Sequence, residues 1–267
     1  MQNLSELQFA NLSDIGCQRE RNEDASGYWQ PGSRDELSRK GVLAVIADGM
    51  GGYQGGQEAS SLAVKTVCQA YAESSNDPQS ALVSALKSAH EHIRDHARRN
   101  PALFGMGTTC TAACVQDAHL IFAHVGDSRL YLSRNGSISR LTRDHSYVAR
   151  LIESGLIGAE DAENHPQRHV LTAALGVGED LVPDCPPKPM PLNTGDVLLL
   201  CTDGLWGLVE DKELHMTVRN TAPDHACREL VALAKQRGAP DNVTVQILRF
   251  VGHSASARAG DSPSTAF

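Results

Sequence analysis

GVLAVIADGMGGYQGG, residues 41–56, is the stretch around which the chain is organised. Val42 to Ala47 is a short continuous apolar run with β-branched members. Such a run suits a strand buried on both faces, although periodicity alone fits a buried helical segment as well. The run stops at Asp48, and glycines then crowd in at 49, 51, 52, 55 and 56. A buried strand that ends on a carboxylate, followed by backbone free to take positive φ, can hold one charge at a fixed point while main chain approaches closely. The competing reading is an ordinary strand, an Asp-Gly turn and a flexible loop.

The remaining sequence favours the first reading, because the same device recurs. Val197 to Cys201, VLLLC, runs to Thr202-Asp203-Gly204, and Leu120 to Val125, LIFAHV, runs to Gly126-Asp127-Ser128. Asp241-Asn242 precedes a fourth β-rich run, NVTVQILRF. Four acidic residues therefore sit at expected strand ends, where a scaffold presents chemistry on its loops. Carboxylates brought together repel unless cations lie between them. Oxygen-only donors imply hard cations, magnesium or manganese, rather than zinc.

The 267 residues suffice for a sizeable core, and a formal net charge of −8 argues against a nucleic-acid binder. Seven scattered cysteines without a CxxC suggest neither a disulfide framework nor a zinc site. Cys110 and Cys114 read as free core thiols. The N-terminus lacks a basic region followed by an apolar stretch, and no window approaches the ~18 apolar residues of a membrane span. A soluble, cytoplasmic protein without a membrane or nucleic-acid partner is expected.

Strands are expected at Leu7–Ile15, from Asp24 to Trp29, and over the runs 106–116, 119–125, 129–134 and 138–141, with Asn135-Gly136 as a hairpin turn. Gln30–Lys40 reads as a polar turn. Helices are expected at 57–73, at 78–99 with Asp77 as cap, and at 209–220 and 223–237. Short strands with tight turns argue for antiparallel sheet. His92 and His96 are four apart on a helix, but with no third ligand nearby they read as a solvated face. His124 reads as a satisfied core histidine close to Asp127. Tyr147–Gly155 and Ala159–Asn164 read as short helices. The weak pattern between Gly155 and Gly176, with His165 and His169, suggests a mobile flap at about 145–176, and 252–267 reads as a disordered tail after one domain spanning 1–251.

Assembled, these residues resemble the metal-dependent serine/threonine protein phosphatases of type 2C, in their compact bacterial form. The resemblance rests on DIGxxRxxNED at 14–24, VIADGMGG at 45–52, GTT at 107–109, VGDSRLY at 125–131, LTRDHS at 141–146, GDVLLLCTDGL at 195–205 and DNVTV at 241–245, in matching order and separation. It implies an α+β fold, a four-layer α-β-β-α sandwich with two central antiparallel sheets flanked by helix pairs. It also implies roles. Asp48 would bridge two metal ions, Mn2+ or Mg2+, with the Gly49 carbonyl beside it, and Asp203 and Asp241 would be further direct ligands. Glu23 would meet a metal through water, and Asp24 would orient that water. Asp127 would share a third, weaker metal with Asp203, and Arg19 would clamp phosphate.

The chemistry implied is in-line hydrolysis of phosphoserine or phosphothreonine by a hydroxide bridging two cations roughly 4 Å apart, without a covalent phosphoenzyme. Two departures stand out. Met50 occupies the position where some members carry a histidine, so the leaving-group proton is expected from metal-bound water. Ala174 in LTAALG stands where a polar or basic residue is frequent. The implied partners are phosphorylated proteins and an opposing serine/threonine kinase, and a monomer is expected. The alternatives are a catalytically inactive phosphatase-like binding module and a hydrolase of small phosphoesters.

Overall fold

Residues 7–51, 55–162 and 164–252 are described by the computed structural model; the expected tail from 253 onward lies outside them. In chain order the strands are β1 (Leu7–Asp14), β2 (Asp24–Trp29), β3 (Val42–Met50), β4 (Gly107–Thr108), β5 (Cys110–Gln116), β6 (His119–Val125), β7 (Arg129–Arg134), β8 (Ser137–Arg140), β9 (Met190–Pro191), β10 (Val197–Cys201) and β11 (Val243–Phe250). The helices are α1 (Arg34–Lys40), α2 (Gly55–Glu73), α3 (Pro78–Arg99), α4 (Tyr147–Glu153), α5 (Ala159–Ala162), α6 (Asp203–Trp206), α7 (Asp211–Asn220) and α8 (Pro223–Gln236).

The strands form two antiparallel sheets. One runs β1-β11-β10-β7-β8 and the other β2-β3-β5-β6-β9, with β4 pairing onto β3. Side chains alternate across a strand, so a strand with sheet or helix on each face must be apolar at every position. β3 meets that demand: Leu43, Val45 and Ala47 join one core cluster, while Val42, Ala44 and Ile46 join another. β10 does the same, with Val197, Leu199 and Cys201 on one side and Leu198 and Leu200 on the other. The three clusters are the interfaces of four layers. α2 and α3 pack on the β3 sheet, α7 and α8 pack on the β11 sheet, and the third cluster fills the space between sheets. This is the α-β-β-α sandwich implied by the resemblance.

Local signals set the helices that the sequence predicted. Asp77 caps α3, its carboxylate accepting from Ser80 N–H at 3.1 Å, with Pro78 in the first turn. Two expectations need correcting. Gln30–Lys40 contains a helix, α1, opened by Ser33, whose hydroxyl accepts from Glu36 N–H at 3.2 Å. The strand read as stopping at Asp48 continues to Met50, because Gly49 and Met50 pair with Thr108 and Gly107 of β4. All seven cysteines are free, and Cys110 and Cys114 are both buried in the α2–α3 cluster, with Ala112 between them on the same face of β5. His92 and His96 have separate partners, Thr66 at 3.3 Å and Glu58 at 3.5 Å. His124 is buried and bonded at both ring nitrogens, to Thr111 at 2.8 Å and to the carbonyls of Gly126 at 3.0 Å and Arg143 at 3.1 Å. Among the described residues no helix is long and apolar enough to cross a membrane.

Leu198, 1% exposed between the sheets, tests this layering. Leu198→Ala is expected to cost about 2–4 kcal/mol in urea unfolding. Met216→Ala, at a residue 54% exposed on α7, should change stability by less than about 0.5 kcal/mol.

Candidate functional site

The ends of β3, β10 and β11 and the β6–β7 turn converge where the two sheets meet. Asp48 is fixed through its backbone. Its N–H donates to Thr109 Oγ1 at 2.9 Å, and its carbonyl accepts from Thr109 N–H at 2.9 Å and Thr108 Oγ1 at 2.8 Å. Thr109 Oγ1 lies 2.7 Å from Ser128 Oγ, next to Asp127. Asp24 sits directly opposite Asp48 on β2. Like charges so placed destabilise a strand pair unless something offsets them.

Gly49 N–H donates to the Glu23 carbonyl at 3.1 Å. Main chains are so close here that a Cβ on Gly49 would run into the Gly56 carbonyl. A Cβ on Gly56 would stand 2.8 Å from both Glu23 Oε2 and the Gly49 carbonyl oxygen. The glycines therefore let a carboxylate and a carbonyl share one point of approach.

Asn242 holds the loop that carries Arg19 and Glu23. Its Nδ2 donates to the carbonyls of Ile15 and Arg21, both at 2.9 Å, and its Oδ1 accepts from Glu23 N–H at 2.8 Å. Arg19 is 50% exposed and donates to Asp241 Oδ2 at 2.7 Å, which raises its pKa. Asp24 is tied to the other sheet: its Oδ2 accepts from Thr202 Oγ1 at 2.9 Å and Thr244 Oγ1 at 2.6 Å. Asp203 opens α6, and Asp127 is 8% exposed with its carbonyl accepting from Trp206 Nε1 at 3.0 Å. His169, from the 145–176 segment, brings Nδ1 to 3.9 Å from Asp203 Oδ2.

Electrostatics report the convergence. Burial pushes the Asp48 carboxyl well above the carboxylate range, and the charges of Asp24, Asp203, Asp127 and Asp241 push it further. Asp127 is raised well above its usual value by burial and then by Asp203. Asp203 is raised by burial and by Asp241, and lies close enough to Asp48 to share a hydrogen bond. Asp24 is pushed up to about 7, by burial first, against the two threonine hydroxyls that favour its ionised form.

This donor set fits hard cations. Asp203 Oδ1 is buried without a hydrogen-bond partner among the described residues, in a group of carboxylates that repel one another. No three His, Cys, Asp or Glu side chains among the described residues form a ready-made cage around one ion. That agrees with the donor chemistry, since small divalent cations keep several waters and take one or two carboxylates each, with carbonyl oxygen beside them.

The structure thus brings together all eight residues named from the sequence: Arg19, Glu23, Asp24, Asp48, Gly49, Asp127, Asp203 and Asp241. Sequence reasoning missed the residues that hold them, namely Asn242, Thr109, Thr202, Thr244 and Trp206. Asn242, Thr109, Thr202 and Thr244 lay inside the motifs above, but the groups they bind belong to segments far away in the chain.

Without metal, the cluster is a liability. A carboxyl whose folded pKa is raised binds more protons folded than unfolded, so it destabilises the fold above the folded pKa, and this loss is recovered as pH falls toward the unfolded value near 4. Asp48→Asn is expected to stabilise the chelator-treated protein at pH 8 by about 1 kcal/mol, roughly 2–4 °C in melting temperature. The gap to wild type should narrow as pH falls and the raised carboxyls take up protons. Scanning calorimetry across pH 5–8 checks both.

The chain matches the family model described as protein phosphatase 2C over residues 18–236. It is 34% identical to the serine/threonine phosphatase Stp of Listeria innocua over 242 residues, 88% of this chain and 93% of that protein. Its fold is similar to the crystal structure of the Mycobacterium tuberculosis serine/threonine phosphatase PstP, with a TM-score of 0.81 at 33% identity, covering 92% of this chain and 99% of that one. A structure of the PstP catalytic domain in complex with two manganese ions superposes with a TM-score of 0.79 at 32% identity, again over 92% and 99%. A match of this extent, together with a four-layer fold that gathers the acidic residues at its sheet seam, makes the chain a member of the protein phosphatase 2C family.

Proposed function

We propose that this protein hydrolyses phosphoserine and phosphothreonine on proteins with two divalent cations, Mn2+ or Mg2+, and a third bound more weakly. The observation that carries this reading is the cluster of Asp48, Asp203, Asp127, Asp24 and Asp241, in which burial and neighbouring charge raise the first four carboxyls beside a half-exposed arginine. The names of the relatives, serine/threonine phosphatases, and the two manganese ions of the PstP structure support it.

Asp48, the Gly49 carbonyl, Asp203 and Asp241 would hold the two cations directly. Glu23 would act through water, Asp24 would orient that water, and Asp127 would share the weaker cation with Asp203. Cations held there supply a lowered water pKa and neutralise charge developing on the phosphoryl group. The rest is the work of the chain itself. Arg19 presents a planar fork that grips two phosphate oxygens and fixes the phosphorus atom over the carboxylates. Thr202 and Thr244 each donate to Asp24 Oδ2 and hold that carboxylate against the other sheet. Met50 has no proton to give, so the protein's own residues at that position do not assist the leaving group. The substrates are phosphorylated proteins, opposing a serine/threonine kinase; a cytoplasmic monomer is the form that fits.

Turnover of p-nitrophenyl phosphate with Mn2+, abolished by chelator, is the first expected outcome, and its absence would support a binding module instead. A phosphothreonine peptide should be the better substrate by kcat/KM; a preference for small phosphoesters would overturn the protein-substrate reading. Asp203→Asn should lower kcat about 10^3-fold or more with the fold intact by circular dichroism, since the cations are worth several kcal/mol to the transition state. Arg19→Ala should raise KM about tenfold with a smaller change in kcat, because it removes charge-assisted bonds to bound phosphate. An unchanged KM would show that Arg19 does not hold substrate.

A further inference from the structure

We infer that Trp206 is a positioning residue: its indole N–H ties Asp127 to the helical turn that begins with Asp203, and so sets how tightly those two carboxylates take a cation between them. This rests on the reading above that Asp127 and Asp203 share one.

α6 is a single turn. Asp203 is its first residue and Trp206 its last, so the two are rigidly related. Trp206 Nε1 donates to the Asp127 carbonyl at 3.0 Å. Asp127 belongs to another segment, the turn between β6 and β7, so this bond joins two separate pieces of chain. The ring that makes it is held in place. The Arg129 guanidinium carbon stands 3.5 Å from the centre of the Trp206 ring. Arg129 is held in turn: Nε and Nη2 donate to Asp144 Oδ1 at 3.1 Å and Oδ2 at 2.7 Å, and Nη1 donates to Tyr131 Oη at 3.1 Å. Tyr131 is fully buried in the core under α7 and α8. Asp144, Arg129, Trp206 and the Asp127 backbone thus form one chain of contacts anchored in that core.

The tie works against a force. Asp203 is the foremost charge raising the Asp127 carboxyl, so the two side chains push each other apart when nothing lies between them. Holding like charges together in advance lowers the cost of bringing them to a cation later. Residues that orient ligands without touching the metal typically change its affinity by about 10–100-fold. Trp206→Phe keeps an aromatic ring beneath Arg129 and removes the donor together with the five-membered ring that carries it.

The test is calorimetric titration of the full chain with Mn2+, comparing wild type, Asp127→Ala and Trp206→Phe. The shared-cation reading requires that Asp127→Ala remove the weakest site and keep the other two. The inference requires that Trp206→Phe weaken that same site about tenfold while the two tighter sites stay within about twofold of wild type. Unchanged weak-site affinity in Trp206→Phe, with the site still lost in Asp127→Ala, overturns the positioning role alone. Equal weakening of all three sites also overturns it, because a merely structural residue would act that way. Three intact sites in Asp127→Ala overturn the shared-cation reading and this inference with it. If Trp206→Phe does not fold, β-(3-benzothienyl)alanine incorporated at position 206 replaces the N–H with sulfur at nearly the same shape, and the same outcomes apply.

Discussion

The rest of this structure depends on a repulsion. Five aspartates reach one small region, four of them with carboxyls raised by burial and by the charges around them. An ionised carboxylate out of water is costly unless it is paired or hydrogen-bonded. Chain that carried these residues on flexible loops would let them separate. Here their backbones are pinned instead: Asp48 by Thr108 and Thr109, the Arg19–Glu23 loop by Asn242, and Asp24 by hydroxyls from the opposite sheet. The polar network serves to keep like charges where their own field would not leave them.

Neither sheet builds the cluster alone. Asp24 and Asp48 come from the β2–β3 pair of one sheet, and Asp203 and Asp241 flank β10 and β11 of the other. Asp127 lies where the chain crosses from β6 in the first sheet to β7 in the second. The distances between carboxylates are therefore set by how the sheets pack, through Ile46, Leu198, Leu200 and Leu248 between them. Polar residues enter that interface too: Thr244 alternates with core positions Val243 and Val245 and turns its hydroxyl toward Asp24, and buried Gln246 donates to the Gly27 carbonyl of β2 at 3.1 Å. Core packing and site geometry are one property here, and a cavity between the sheets would be felt by the carboxylates.

What the sequence disclosed follows from range. β3 and β10 were legible because strands covered on both faces must be apolar at every position, and that leaves an unbroken run. The acidic residues ending such runs, Asp127 and Asp203, were legible for the same reason. Asp48 was misjudged as a strand end because its continuation depends on β4, two residues long and carrying no pattern of its own. α1 was hidden because it buries no residue, so it lacks an apolar stripe; only its capping serine and the acidic start and basic end remained as signals. Asn242 and Trp206 could not be read in their roles at all. Their partners lie 219 to 227 and 79 residues away, and hydrogen-bond partners at that separation leave no local trace. The individual roles at the site came from resemblance rather than from periodicity.

The pairing of Arg19 with Asp241 bears on how the site meets an anion. A clamp that is idle must be neutralised by something, and one that is neutralised too well cannot let go. At 50% and 34% exposure the two side chains are wet, and pairs of that kind contribute about 0–1 kcal/mol. A phosphate dianion offers the same guanidinium two oxygens and a larger charge, so exchange of partner favours the substrate. On the proposed reading the exchange would also leave Asp241 with a carboxylate oxygen to give to a cation, next to Asp203, whose carboxyl it raises. Giving the arginine to phosphate and the aspartate to metal would, on that reading, both draw on this one exposed ion pair, while Asn242 clips the loop that carries Arg19.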